Sequence, residues 1–209
     1  DLANADVEML KRIFGVHGQK IWTYANGLDA SRVMPCDYEV PIKSIGHGIT
    51  CTSDLLTNEE VMHVFMELSQ QVGQKLRKNN LAATRVRIFV RDNKLYSREY
   101  QGRLDYPTQC YTEIARAGYE LFRRRYIWNK DIRSLTISGI DLVPADIPIQ
   151  IDFFNDYEQH QRRLTLETTI DEIRRRFGTA SINFASLTQG LKMPAHREIE
   201  FKMPSPMFQ

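Results

Sequence analysis

Six basic side chains lie within 23 residues of one another: Arg85, Arg87, Arg91, Lys94, Arg98 and Arg103, opposed only by Asp92 and Glu99. The stretch from Asp54 to Glu67 is the reverse, with four acidic residues and no Lys or Arg. The overall charge is only +2, so the chain is not basic on balance. It is sorted, and sorted charge predicts a basic face that takes an anionic partner. Other chemistry is poorly supplied. Three cysteines (Cys36, Cys51, Cys110) are odd in number and far apart, as in reduced thiols rather than a disulfide framework or zinc site. The five histidines form no H-x-x-x-H pair, so we expect no metal.

The arginines need a scaffold, and the flanking pattern supplies one. Along Thr84–Arg91, Val86, Ile88 and Val90 alternate with Arg85, Arg87, Phe89 and Arg91, a strand with one apolar and one basic face. Asp92-Asn93 predicts a tight turn into a second strand, Leu95–Arg103. On that alternation Arg98 joins Arg85, Arg87 and Arg91 on the basic side. Upstream, Ile45, Ile49 and Cys51 predict a first strand, with Gly46 and Gly48 leaving one face bare. Thr57 and Glu60 form a capping box before a helix striped by Val61, Val64, Phe65, Leu68, Val72 and Leu76. Pro107 predicts the start of a second helix, which Arg123, Arg124 and Arg125 end. A last strand is expected over Arg133–Ile140.

The order β-α-β-β-α-β predicts an α+β fold: a four-stranded antiparallel sheet with two helices on one face and the other open. We place this domain at 43–145. Before it come a helical segment at 1–28, too small for a core of its own, and an extended tether at 29–42. After it, 146–209 hold an aromatic patch, a polar helix around Leu164–Phe177 and an irregular tail. The chain opens on Asp1-Leu2-Ala3 rather than Met, from which we expect a segment of a longer protein. No apolar run approaches the roughly 20 residues of a membrane helix, and nothing reads as a secretion signal, so a cytoplasmic location is expected.

An open sheet lined with arginine, hydroxyl and glycine suits nucleic-acid backbones, where cations neutralise phosphates and displace counterions. The same topology can bind single-stranded RNA by stacking bases on aromatics of the central strands. Tyr96 and Tyr100 could serve in that way, although the RNA-binding strand motif is absent.

Particular residues sharpen the reading. Lys43-Ser44-Ile45-Gly46-His47-Gly48-Ile49-Thr50 resembles the K-S-I-G-x-x-x-T opening of the little-finger domain in Y-family (DinB/UmuC-type) translesion DNA polymerases. Phe14-Gly15-x-x-Gly18 and Trp22-x-x-Ala25-x-Gly27-x-Asp29 resemble the end of their thumb domain, and Ile170–Gly178 fits bacterial members. The similarity runs collinearly from about Leu10 to Ser186. These motifs do not divide a polymerase IV-like parent from a polymerase V-like one.

The resemblance implies an error-prone, lesion-bypassing (SOS mutagenesis) polymerase whose little finger grips primer–template DNA through both backbones. By position it implicates Lys43, Ser44 and His47 on the first strand and Arg133, Ser134 and Thr136 on the last. His47 stands where arginine is common in the family. Gln150-Ile151-Asp152-Phe153-Phe154 resembles the Q-L-x-L-F peptide that docks bacterial members on the sliding clamp. Gln150 would bond at the pocket rim while Ile151, Phe153 and Phe154 fill apolar subsites. The family's catalytic carboxylates and their Mg ions belong to a palm domain upstream of this segment. Hence Asp141, Asp146, Asp152 and Asp156 are expected to be loop and motif positions, and these residues alone to be catalytically inactive. The alternative is an interaction module acting mainly through the clamp.

Overall fold

A computed structural model describes residues 1–38, 40–148, 157–188 and 190–194. The chain forms two units, Asp1–Pro41 and Ile42–Gln209.

In the first unit, α1 (Val7–Phe14) and α2 (Val16–Ala25) form a helical hairpin. The Asp6 side chain caps α1 by accepting from the Glu8 amide. Gly15 breaks the two helices apart at φ 62°, where a side chain would be strained. The helices meet where Gly18 packs on the Leu10 backbone. A Cβ there would lie 2.2 Å from the Leu10 carbonyl oxygen, so the contact requires glycine.

The second unit contains β1 (Ser44–Leu55), α3 (Asn58–Lys78), β2 (Leu81–Asp92), β3 (Ser97–Thr108), α4 (Tyr111–Arg125), β4 (Ile132–Pro144) and α5 (Tyr157–Phe177). The four strands form one antiparallel sheet in the order β1-β4-β2-β3. This is the α+β fold the sequence predicts. Each βαβ unit is split by a strand of the other, so β4 and β2 are central while β1 and β3 are the edges.

One face of the sheet packs on α3 and α4. Ile45, Val86, Ile88, Val90, Leu135 and Ile137 meet Val61, Val64, Phe65, Leu68, Val72, Ile114 and Phe122, all buried. Each such side chain contributes roughly 1.5–3 kcal/mol by leaving water. Phe122 is the centre of an aromatic cluster, edge-on to Phe65 and Trp128 and stacked on Tyr126 at 5.0 Å. The Thr57–Glu60 capping box forms as expected.

The strands run longer or start later than the sequence reading placed them, and two helix starts differ from it. Pro107 does not begin α4. It lies in edge strand β3, where a missing N–H costs nothing to the ladder on its solvent side. The polar helix begins at Tyr157, seven residues before Leu164. It has a physical anchor that its composition hid. Glu167, 1% exposed, accepts from the Tyr111 amide at 2.7 Å and from the Thr112 amide and hydroxyl at 3.1 and 2.7 Å. A carboxylate from α5 therefore satisfies the orphan donors of α4's first turn. Arg77 at the end of α3 completes the network, bonding Glu167, Asp171 and the Gln109 carbonyl.

Beyond α5 the chain returns across the helical layer. Phe184 meets Tyr111 edge-on, Leu191 and Met193 pack on the core, and the Thr52 amide donates to the Lys192 carbonyl.

Candidate nucleic-acid interface

The strand register places the open face residue by residue. Reading across β1-β4-β2-β3, its four rows are Ser44–Ile140–Arg85–Arg103, Gly46–Ser138–Arg87–Gln101, Gly48–Thr136–Phe89–Glu99 and Thr50–Ser134–Arg91–Ser97. Within the second unit, α3 and α4 pack on the opposite side. Four arginines stand there against one carboxylate, Glu99, with Asp141 at the margin.

The glycines of β1 have a definite task. A Cβ on Gly46 would sit 2.2 Å from the Ser138 hydroxyl, and one on Gly48 equally close to the Thr136 hydroxyl. Those two side chains therefore lean over a bare strand. A flat, glycine-lined strip lets an extended polyanion approach the backbone closely.

The arginines are only partly committed within the protein. Arg85 reaches Asp141 at 3.4 Å, and Arg91 donates to the Thr50 hydroxyl at 3.3 Å. The Nε atoms of both are buried without a hydrogen-bond partner among the described residues. Phe89 sits in the middle of the face, half-buried between Thr136 and Glu99.

Of the positions singled out from sequence, Ser44, Thr136, Arg85, Arg87 and Arg91 lie on the open face, and Lys43 is exposed just before β1. Ser134 is also there, but it is 8% exposed and its hydroxyl donates to the Ile49 carbonyl at 2.9 Å. Its proton is spent inside the sheet.

Three positions lie off the open face, each for a reason of register. His47 pairs with Ile137 and shares the side of Ile45 and Ile49, so it faces the helical layer. Arg98 pairs with Val90 on that same side and stacks over Tyr96 at 4.8 Å. Arg133 is the extra residue of a bulge between Asp92↔Ile132 and Arg91↔Ser134, and it bonds Asp54 at 3.2 Å. Arg98 was misplaced because the hairpin loop is longer than a tight turn. The Asp92 carboxylate accepts from the Lys94 and Tyr96 amides, Leu95 adopts φ 68°, and pairing resumes only at Arg91↔Ser97.

Arg103 and Gln101 were missed as members of the face. The alternation of β3 was visible in the sequence, but its phase depended on that loop. Gln150, Ile151, Phe153 and Phe154 lie outside the described residues.

One further polar cluster lies on the helical side. Cys110, Glu113 and His160 bring ligand-type atoms within 4.8 Å of one another. Glu113 accepts from Thr108 at 2.7 Å and pairs with His160 Nδ1 at 2.9 Å, while the Cys110 thiol faces the His160 carbonyl. Burial works to raise the Glu113 pKa, but hydrogen bonds from His160 and Thr108 outweigh it and hold the carboxyl below its ordinary value. We assign this cluster to fastening α5 on α4.

The helix-backed sheet turns a glycine-smoothed, arginine-bearing face away from α3 and α4. Comparison with known families agrees in placement. The model of the impB/mucB/samB family C-terminal domain matches residues 42–153, and the chain belongs to that family. Among curated relatives, the chain is 40% identical over 189 residues to a DNA polymerase IV of Acetivibrio thermocellus, covering 90% of this chain and 47% of that protein. It is 31% identical to a DNA polymerase IV of Pelotomaculum thermopropionicum (87% and 44% covered) and 27% identical to DNA polymerase IV 1 of Bacillus subtilis (87% and 44%). The chain thus spans about half the length of the curated relatives it matches. The likeness to the C-terminal part of a bacterial Y-family polymerase, drawn from Lys43–Thr50 and its flanking motifs, is borne out. Among the described residues no helix is long and apolar enough to cross a membrane.

Proposed function

We propose that this chain is the DNA-gripping part of a translesion DNA polymerase, holding primer–template duplex by phosphate contacts on its open sheet face. The observation that carries the reading is the row-by-row register. It turns Arg85, Arg87, Arg91 and Arg103 to one uncovered side beside a strip where Gly46 and Gly48 present bare backbone. Side chains of this kind address the backbone and not base edges, so the grip is largely blind to sequence and tolerates a damaged template. Nucleotidyl transfer belongs to a part of the parent enzyme other than these residues. Asp141, on the margin of the face, is engaged with Arg85.

Three to four phosphate contacts from these arginines give a salt slope of about −2.7 to −3.6, since each contributes roughly −0.9 to the logarithmic slope. Affinity should then fall roughly 40- to 150-fold between 50 and 200 mM salt by the same relation. Fluorescence anisotropy with labelled primer–template tests this. A slope near zero, or no binding at low salt, refutes it.

Clamp docking through Gln150, Ile151, Phe153 and Phe154 is the second half of the proposal and rests on sequence resemblance. Alanine at Gln150, Phe153 and Phe154 should abolish capture by the sliding clamp and spare DNA affinity. If DNA binding were absent and clamp binding intact, the chain would act as an interaction module instead. The RNA-binding reading loses support from geometry. β3 is an edge strand, Tyr100 packs on the core, and Tyr96 lies in the turn beneath Arg98.

A further inference from the structure

The top row of the open face contains an arrangement that folding alone does not favour. Arg85 and Arg103 stand directly opposite each other on β2 and β3. Cross-strand partners on one face are roughly 5 Å apart, and like charges so placed destabilise a sheet. Arg87, two residues along, adds a third positive charge roughly 7 Å away.

Within the protein the compensation is one-sided. Arg85 has Asp141 at 3.4 Å, both side chains substantially exposed. Arg103 has no ion pair or hydrogen bond among the described residues, and Glu99 lies two rows off. Edge strands do carry charge to discourage edge-to-edge pairing. That purpose is served by a charge anywhere along β3, and it does not call for one set squarely against Arg85.

From this we infer that Arg85 and Arg103 form a two-pronged seat for one backbone phosphate of duplex DNA, with Gln101 and Arg87 as its neighbours. The inference rests on the DNA-gripping reading and deepens it. It makes the β2–β3 half of the sheet a contact in its own right, separate from the β1 strip. Two guanidinium groups converging on one anion supply several donors in fixed planes, and the bound phosphate cancels the repulsion they carry when free.

The seat has an unusual signature, because the substitution that weakens binding should strengthen the free protein. Arg103→Glu places a carboxylate against Arg85. It should raise the melting temperature of the 209-residue chain by roughly 1–3 °C, from the worth of a cross-strand charge pair in a domain of this size. The same variant should lower the salt slope for duplex by about one and reduce affinity about eightfold at 0.1 M salt, the worth of one phosphate contact. Arg103→Gln should move both quantities in the same directions by less. Duplex affinity and slope equal to wild type in both variants would overturn the seat while leaving the general grip intact. Loss of binding in the wild type itself would instead strike the underlying reading. A third arm adds inorganic phosphate at matched ionic strength. Stabilisation of wild type but not of Arg103→Glu, with duplex slope unchanged, would assign the pair to a free anion and also overturn the proposal.

Discussion

The attachment of α5 makes a demanding test of the fold, because so little of it is apolar. Its buried residues are His160 and Glu167. Replacing Glu167 by alanine removes the acceptor of the Tyr111 and Thr112 amides in α4's first turn. An unsatisfied buried donor costs about 1–3 kcal/mol, so two cost roughly 2–6 kcal/mol. Arg77 limits the damage, since it keeps Asp171 at 2.6–2.8 Å and the Gln109 carbonyl at 2.8 Å and is not left as an orphan charge. Burial also raises the Glu167 pKa against the pull of its donors, so its ionised form carries a desolvation cost that the variant escapes. Weighing these, we expect a net loss of about 2–4 kcal/mol, the lower part of the range. For a unit of this size that is roughly 4–16 °C in melting temperature. Glu167→Gln keeps one acceptor and should lose about half as much. Thermal unfolding measures the loss, and hydrogen exchange locates it at the Tyr111 and Thr112 amides. A melting point within a degree of wild type, with those amides still protected, would refute the assignment of Glu167 as the cap of α4.

Two other outcomes follow from buried titratable groups. Glu113 has a folded-state pKa held below its ordinary value. Its stabilisation is therefore complete above the unfolded carboxylate pKa of about 4.3 and is lost as pH falls through the lower folded value. Urea unfolding between neutral and acid pH should show a shallower acid limb for Glu113→Gln than for wild type; parallel limbs would contradict the role given to the His160 and Thr108 bonds. The thiols should separate by access. Cys36 is exposed, whereas burial pushes Cys51 up to about 11 and Cys110 higher still. A thiol reagent at pH 8 should titrate one cysteine quickly in the native chain and three after denaturation; two fast thiols would be inconsistent with the packing of β1 or α4.

Much of the domain was legible because local signals agreed with the fold. The Thr57–Glu60 box, the stripe from Val61 to Leu76 and the alternation of Thr84–Arg91 each depend on contacts within a few residues. The anchor of α5 was not legible. Glu167 reads as one more charge on a polar helix, and its value lies in amides 55 and 56 residues away. The same holds for Arg133, which looks like a free cation until the bulge brings it to Asp54.

The arginine face divides the two kinds of information most cleanly. Sequence by itself determined that β2 has a basic side, because side chains alternate along any strand and Val86, Ile88 and Val90 had to face a core. It also determined that β1 could lie bare at Gly46 and Gly48. Only tertiary structure decided which arginine of β3 belongs there. A tight turn at Asp92-Asn93 would have set Arg98 on the open side. The longer loop organised by the Asp92 carboxylate shifts the pairing to Arg91↔Ser97, and a shift by an odd number of residues turns a strand over. Arg98 went to the helical side and Arg103 came out opposite Arg85. Alternation gives a strand two faces from its own residues, but the phase between two strands is a property of the pair.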